Sequence, residues 1–581
     1  MPPVLDRIPG GYWALAAGAA LRRVAAEAWR GSPLNHWRLS HPEPDGLAAS
    51  PKDLRPASRE NGARILAGGF LIAGETLASG VRGDPWDRAS PSRRFAEGLH
   101  GFGWLKDLAL LGDTGAWEGL RLTLAWRRVF GRWSAFAWAP RVLERRVYNL
   151  ACQIRALSQP ASDAEADEIA ADLARQARFL LEADAGPARA AERAAAAAIA
   201  GTALAGVAGE VLLERALARL DKALRETLAA DGGHASRSPQ AALELYFDLS
   251  TLEDALAQIG HASSPMLALA RGRLAGAVGF FTLADGRLAS FQGGDALSAP
   301  YVAAAEAAER VRDDAPGFAC DGYFQLAGRD LQLIADAGPP AAGAWSVTAC
   351  AQPLAFELLA GGHRLITNAG WSPGAHAPQA LRLADAASTL SLPEAPCGAP
   401  LAGFAAAELG PRLHHPPMAR EVRHHATREA AWLELEHEGW LASHGFRHER
   451  RLWLDRATDE LRGDERLTVA APQRGANGRR FIPFTVRFHL APQVSALVAR
   501  DRKGVLIKAE GEETAWRLRT DALDVTIEPS MQYADGVARH GEQIVLRGQA
   551  RLDAGGRIRW KLTAAHSLSE PARVDAGRVT A

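Results

Sequence analysis

A histidine set in a glycine-rich turn offers proton chemistry. In Asp231-Gly232-Gly233-His234-Ala235-Ser236-Arg237-Ser238-Pro239 the imidazole titrates near neutral pH, so it can give or take a proton. Ser238 and Pro239 form an N-cap and first-turn pair. His234, Ser236 and Arg237 therefore sit just ahead of a helix N-terminus, where free backbone N–H groups suit an anion. The plainer reading is a turn that joins two helices. A second cluster, Arg145, Arg146, Tyr148 and Asn149, falls on one stretch of helix. Leu143, Val147 and Leu150 take its core face, which turns Arg146 and Asn149 elsewhere; solvated charge is the cheaper account of at least one arginine. Nine of the 16 tryptophans precede residue 140. Flat indole rings stack on the CH faces of pyranoses, and Trp86, Trp133 and Trp138, in polar or Pro-flanked segments, are the cleft candidates. The other indoles read as packing.

The elements that must position these groups change character along the chain. Leu143, Val147, Leu150, Ile154 and Leu157 step by four and three, which predicts a helix. Ser162 with Glu165 is a capping box for the next one, and Leu213, Leu217, Leu220, Leu224 and Leu228 mark another. Ser238-Pro239 opens a helix on Leu245, Leu249, Leu252, Leu256 and Ile259, stopped by Gly260. Phe95, Leu99, Phe102 and Ala109 mark one more. Beyond residue 320 the period becomes two: Phe484, Val486, Phe488 and Leu490 alternate with polar residues, as do Ile558, Trp560 and Leu562. Gly328 and Gly361-Gly362 read as hairpin turns. Many short strands predict a β-sandwich rather than a βαβ sheet, so the reading is an α-helical domain over 1–290 and a β domain over 291–581.

Composition narrows the function classes. A chain of 581 residues with 48% apolar and 23% charged residues buries several cores. Lys plus Arg and Asp plus Glu are equal at 67 each, which removes a general electrostatic reason for binding nucleic acid. Cys152, Cys320, Cys350 and Cys397 form no CxxC pair, so neither a disulfide scaffold nor a cysteine zinc knuckle is expected. No GxSxG, P-loop or strand-linked GxGxxG occurs. No apolar run reaches membrane-spanning length. Trp13 to Ala20 is apolar, but Arg22 and Arg23 follow at once; it reads as a first helix, with no secretion signal evident.

Several segments together resemble the heparinase II/III group of polysaccharide lyases. They are residues 85–113 (PWDRASPSRRFAEGLHGFGWLKDLALLGD), 141–157 (RVLERRVYNLACQIRAL) and 231–240 (DGGHASRSPQ) in the first half. In the second half they are 321–340, 354–370, 444–467 (HGFRHERRLWLDRATDELRGDERL), 484–494 and 542–548. The resemblance implies a multidomain α+β protein, an N-terminal (α/α) toroid followed by a C-terminal antiparallel β-sandwich. It also implies β-elimination of a uronic-acid-containing, acidic polysaccharide, and a place in the periplasm or cell envelope. That chemistry needs a group to neutralise the sugar carboxylate, a base for the C5 proton and an acid for the leaving oxygen.

The residues read above and the resemblance together give His234, His448, Tyr246 and Arg146 as catalytic candidates. Substrate-contact candidates are Trp86, Trp138, Asn149 and Arg237 from the residue reading, and His100, His444 and Arg450 from segments that resemble the family. The chain also departs from the family pattern. Ala241 and Ala242 stand where a tyrosine usually follows the Ser-Pro, leaving Tyr246 as the nearest, and residues 188–204 (ARAAERAAAAAIAGTAL) lack the Asn-His that serves the carboxylate. These departures open the alternative of a catalytically altered or inactive glycan-binding protein of the cell envelope. Some relatives hold a structural zinc through His and Asp; Cys350 and Asn368 occupy those places here, so no zinc and no other cofactor is expected.

Overall fold

A computed structural model of the chain describes residues 10–183, 185–307, 319–372, 375, 377–393, 395–470 and 480–565. The N-terminal part is a helical toroid. Its most central helix, Ala190–Ala203, packs against Pro140–Ser158, Asp163–Glu182, Gly206–Thr227 and Pro239–Gln258. Small side chains permit that many neighbours: Ala194 to Ala198 are at most 3% exposed, and a Cβ added to Gly201 would stand 2.8 Å from the Leu213 nitrogen.

The expected helices form with their expected signals. Leu143, Val147, Leu150, Ile154 and Leu157 are buried on Pro140–Ser158. The Ser162/Glu165 capping box closes in both directions. Ser238 caps the amide of Ala241, and Gly260, at φ +68°, ends the same helix. The stretch expected as one helix over Phe95–Ala109 is two, Arg93–His100 and Leu105–Ala109, broken where Phe102 takes φ +61° between Gly101 and Gly103. Helices also continue past residue 290, since Ala299–Ala307 packs on Pro239–Gln258 and the first strand beyond the toroid begins at Ala319.

The C-terminal part is a sandwich of two antiparallel sheets. One holds eight strands, from the edge strand Ala419–Ala426 to Val494–Val498; the other holds nine, including Tyr323–Ala327, Leu331–Asp336, Phe356–Ala360, His363–Thr367 and Phe481–Leu490. Gly361 and Gly362, at φ +60° and +81°, make the hairpin turn between the third and fourth of these strands. Strands Leu331–Asp336 and Phe356–Ala360 of the nine-stranded sheet are buried on both faces. Leu333 and Leu358 point into the sandwich core, while Tyr323, Ile334 and Leu359 join the core of the toroid. This is why Phe356–Ala360 is buried at every position rather than at alternate ones, with the one charge, Glu357, paired to Arg364. The packing of that sheet on the helices fixes the two domains face to face.

Candidate active site cleft

Between the domains runs a cleft with two adjoining lobes, of about 770 and 570 Å³. Arg94, Glu97, Arg141, Val142, Arg189 and Thr348 border both. The toroid supplies the charged floor. The sandwich supplies an opposing wall that includes Trp345 in the larger lobe and Trp371 in the smaller. Across the two linings eight cationic side chains stand against five acidic ones, so the lining is net cationic although the whole chain is neutral.

His234 forms the floor of the larger lobe at 4% exposure. Its Nδ1 accepts the Ser236 backbone N–H at 3.1 Å and meets the Ser236 hydroxyl at 2.7 Å. An Nδ1 that accepts an N–H carries no proton, so the ring N–H stands on Nε2. That nitrogen has no hydrogen-bond partner and faces the Glu192 carboxylate at 3.7 Å, and neither Glu192 oxygen has a hydrogen-bond partner. Arg189 lies between Glu192, at 3.6 Å, and Glu144, which accepts its guanidinium N–H groups at 2.5 and 3.2 Å. One guanidinium thus serves two buried carboxylates. Burial pushes Glu144 above the usual carboxylate range despite Arg189; burial acts on Glu192 in the same direction, but the Arg189 guanidinium outweighs it and holds that group well below. Arg189 itself sits at φ +60°, a costly conformation for a non-glycine residue, at the start of the buried helix Ala190–Ala203.

The smaller lobe rests on an ionic network. Arg55 donates to Asp53, Glu244 and Asp248 at 3.2, 2.8 and 2.7 Å, and Arg145 pairs with Asp248 at 3.0 Å. Lys106 stands 3.5 Å from Asp53. Asn149 lines this lobe and donates its amide to the Gly101 carbonyl at 2.7 Å. Tyr301, also in the lining, donates to Glu244 at 2.7 Å, and burial followed by Glu244 raises its hydroxyl well above 10, which suits a donor and not a base.

Of the residues expected at the site, His234 and Asn149 line the cleft; the others are held elsewhere. Arg237 is buried at the domain junction, with its guanidinium on the carbonyls of Asp321, Gly338 and Pro339 and on Asp336 at 2.8 Å. It joins the domains rather than meeting a ligand. Arg146, fully buried, donates to Gln176 and to the His100 carbonyl and lies 4.3 Å over the Trp126 ring. His100 accepts the Trp126 indole N–H at 3.0 Å amid Trp86, Phe130 and Phe136, and burial with Arg146 lowers its pKa to about 4. Trp86 and Trp138 are core, their indole N–H groups on the carbonyls of Leu122 and Phe130. Tyr246, 1% exposed, donates to the Ala305 carbonyl.

His448 and Arg450 lie inside the sandwich, both bonded to the buried Glu465. The strand Phe446–Asp455 alternates, and its even-numbered positions point into the core, so these two side chains face inward with Leu452 and Leu454. His444 ends a short helix and meets Ser443. Helical or strand period identifies the buried face but not which buried face borders a cleft. Glu144, Arg189, Glu192, Trp345 and Trp371 were missed for that reason; the one sequence signal was a charged Arg189/Glu192/Arg193 set at the head of an alanine run.

The places considered for zinc do not fit the ion. Cys350 sets its thiol on the Thr348 carbonyl, and Asn368 uses its amide on the Ser290 carbonyl and the Ser388 N–H. Among the described residues no group of three His, Cys, Asp or Glu is placed to hold a metal.

A toroid, a sandwich packed on it and a cleft between them define the heparinase II/III-like class, and this chain belongs to that family. The heparinase II/III-like C-terminal domain matches residues 311–561. Along nearly its whole length the chain is similar to FtsZ-localized protein C of Caulobacter vibrioides, 46% identical over 576 residues, covering 97% of this chain and 99% of that protein. Two solved structures share the fold. Heparinase III matches with a TM-score of 0.65 at 14% identity, over 84% of this chain and 80% of its own. A heparan sulfate lyase from Pedobacter heparinus matches at 0.55 and 15% identity, over 98% and 92%. Among the described residues no helix is long and apolar enough to cross a membrane.

Proposed function

We propose that this chain uses the interdomain cleft to bind an acidic polysaccharide and does not cleave it by the β-elimination of the lyases whose fold it shares. The observation that carries this reading is the lining itself: a net-cationic floor beneath Trp345 and Trp371, with the Glu192 carboxylate, not an amide or a cation, opposite His234. Elimination needs the sugar carboxylate neutralised, and an anion facing the proton-transferring imidazole opposes that. Tyr301 is the tyrosine of the described lining, and its hydroxyl is raised and bound to Glu244. The test incubates the purified chain with heparan sulfate, hyaluronan and alginate. Absorbance near 232 nm, where the unsaturated uronate product absorbs, is expected to stay flat while calorimetry shows binding of one of them. Rising absorbance that Glu192→Gln or His234→Ala abolishes would instead establish a lyase.

A second reading concerns where the chain works. The name of a relative 46% identical over 97% of this chain places that protein with FtsZ, and the same placement is proposed here. Co-sedimentation with FtsZ polymers tests it: the chain is expected in the pellet only when polymer is present, and its retention in the supernatant would remove this reading.

A further inference from the structure

We infer that Glu192 and His234 form a reader of sugar hydroxyls, so that the residue of the polysaccharide bound over them carries no carboxylate and the acidic residues sit in the smaller lobe. The inference rests on the saccharide reading of the cleft and specifies which sugar goes where. Two side chains that line the larger lobe hold three buried polar atoms without hydrogen-bond partners, His234 Nε2 and both Glu192 oxygens, each side chain at most 3% exposed. The carboxylate accepts only; the Nε2–H donates only. A group that donates to the first and accepts from the second is a hydroxyl, and two carboxylate oxygens provide for two neighbouring hydroxyls.

A uronate carboxylate in that place would meet Glu192, with Glu144 behind it, and like charges brought together in a buried site repel strongly. Arg189 does not offset this, because it is already shared between those two carboxylates. The smaller lobe is the more cationic of the two, with six cationic side chains to three acidic ones against five to three in the larger; Lys106 and Arg145 border it alone, beside Asn149, and Trp371 lies on the facing wall. Trp345, whose ring meets the His234 ring edge-on with centroids 5.8 Å apart, stands beside the proposed hydroxyl reader and supplies an apolar face for the same sugar. An alternating polymer of neutral and acidic sugars satisfies both lobes, whereas a polymer acidic at every residue satisfies one.

The experiment is calorimetric titration of the full chain with three oligosaccharides. Hyaluronan hexasaccharide alternates neutral and acidic sugars, tetragalacturonate is acidic throughout, and cellotetraose is neutral throughout. Wild type is expected to bind hyaluronan hexasaccharide at least about ten-fold more tightly than tetragalacturonate, and Glu192→Gln to tighten tetragalacturonate by about ten-fold while not tightening hyaluronan. Should Glu192→Gln fail to fold, His234→Gln reports on the other half of the pair, with hyaluronan binding weakened about ten-fold and tetragalacturonate unmoved. Equal wild-type binding of hyaluronan and tetragalacturonate, or a Glu192→Gln variant with unchanged preference, would overturn the inference and leave the saccharide cleft standing. If folded wild type binds none of the three, the saccharide reading falls and this inference with it.

Discussion

Arg237 directs its guanidinium N–H groups at the sandwich: the Asp321, Gly338 and Pro339 carbonyls and the Asp336 carboxylate, with Tyr323 stacked 4.4 Å beneath the guanidinium. Removing one member of a buried ion pair costs ~3–5 kcal/mol, because the partner is left charged and unpaired. Arg237→Ala is therefore expected to lower unfolding stability by about that amount in denaturant titration, and Arg237→Lys to recover only part of it, since an ammonium cannot reproduce the planar fork. Trp345 belongs to the opposite kind of residue, half-buried and facing open cleft. Trp345→Ala is expected to leave the melting temperature within a degree or so of wild type while weakening hyaluronan binding about ten-fold, the loss of one stacked ring. Comparable loss of stability would show the indole to be packing instead.

Two acids at the junction of the domains make that junction sensitive to pH. Asp295 accepts the Gly536 N–H from the tip of the hairpin formed by Asp524–Ala534 and Val537–Arg551, and Asp321 lies against Gly233 with its own N–H on Asp231. Burial raises Asp295 to about 6, with Asp535 adding and the Gly536 N–H opposing; burial raises Asp321 to about 7 against the pull of Arg237. An acid whose folded pKa is raised holds its proton more tightly folded than unfolded. Its contribution is complete below the unfolded value near 4 and is lost as pH rises through 6 to 7. Melting temperature is expected to fall from pH 5 to pH 8, and Asp321→Asn to flatten the upper part of that slope. Helix Gly10–Arg30 tests a different attachment. It docks on Gly403–Leu409 through Ala16, Leu401 and Ala405, with Arg23 paired to Glu408 at the exposed margin. Exposed ion pairs contribute little, so Arg23→Ala is expected to leave the trypsin digestion pattern unchanged, whereas Ala16→Asp, at a fully buried position, is expected to release the helix for cleavage.

At the scale of the molecule the cleft exists because strands Tyr323–Ala327, Leu331–Asp336 and Phe356–Ala360 of the nine-stranded sheet pack one face on the toroid and the other on the partner sheet. That arrangement brings a cationic floor from the helices under aromatic groups carried by sandwich loops, and neither domain holds both. Binding of an acidic polysaccharide across eight cations and five acids is expected to weaken as sodium chloride is raised from low to physiological concentration, since screening acts on the net charge of the lining. Salt-independent binding would place the contact outside this cleft.

Local patterning determined the elements: the stripe from Leu143 to Leu157, the Ser162/Glu165 box, the Ser238-Pro239 start and the alternation over Phe484–Leu490 each depend on neighbours in sequence, and each stands in the structure. The order of elements and the segments quoted also sufficed for the toroid-then-sandwich architecture and the family. What period could not decide was the use of a buried face. His100, Arg146, Arg450 and His448 have side chains suited to chemistry, yet tertiary packing turned them inward against Trp126, Gln176 and Glu465. Glu192 looked like one charge in an alanine helix until the fold set it 3.7 Å from His234, forty-two positions away. Charge and hydrogen bonding act over a few ångströms of space, and only the packing of two domains determines which residues share those ångströms.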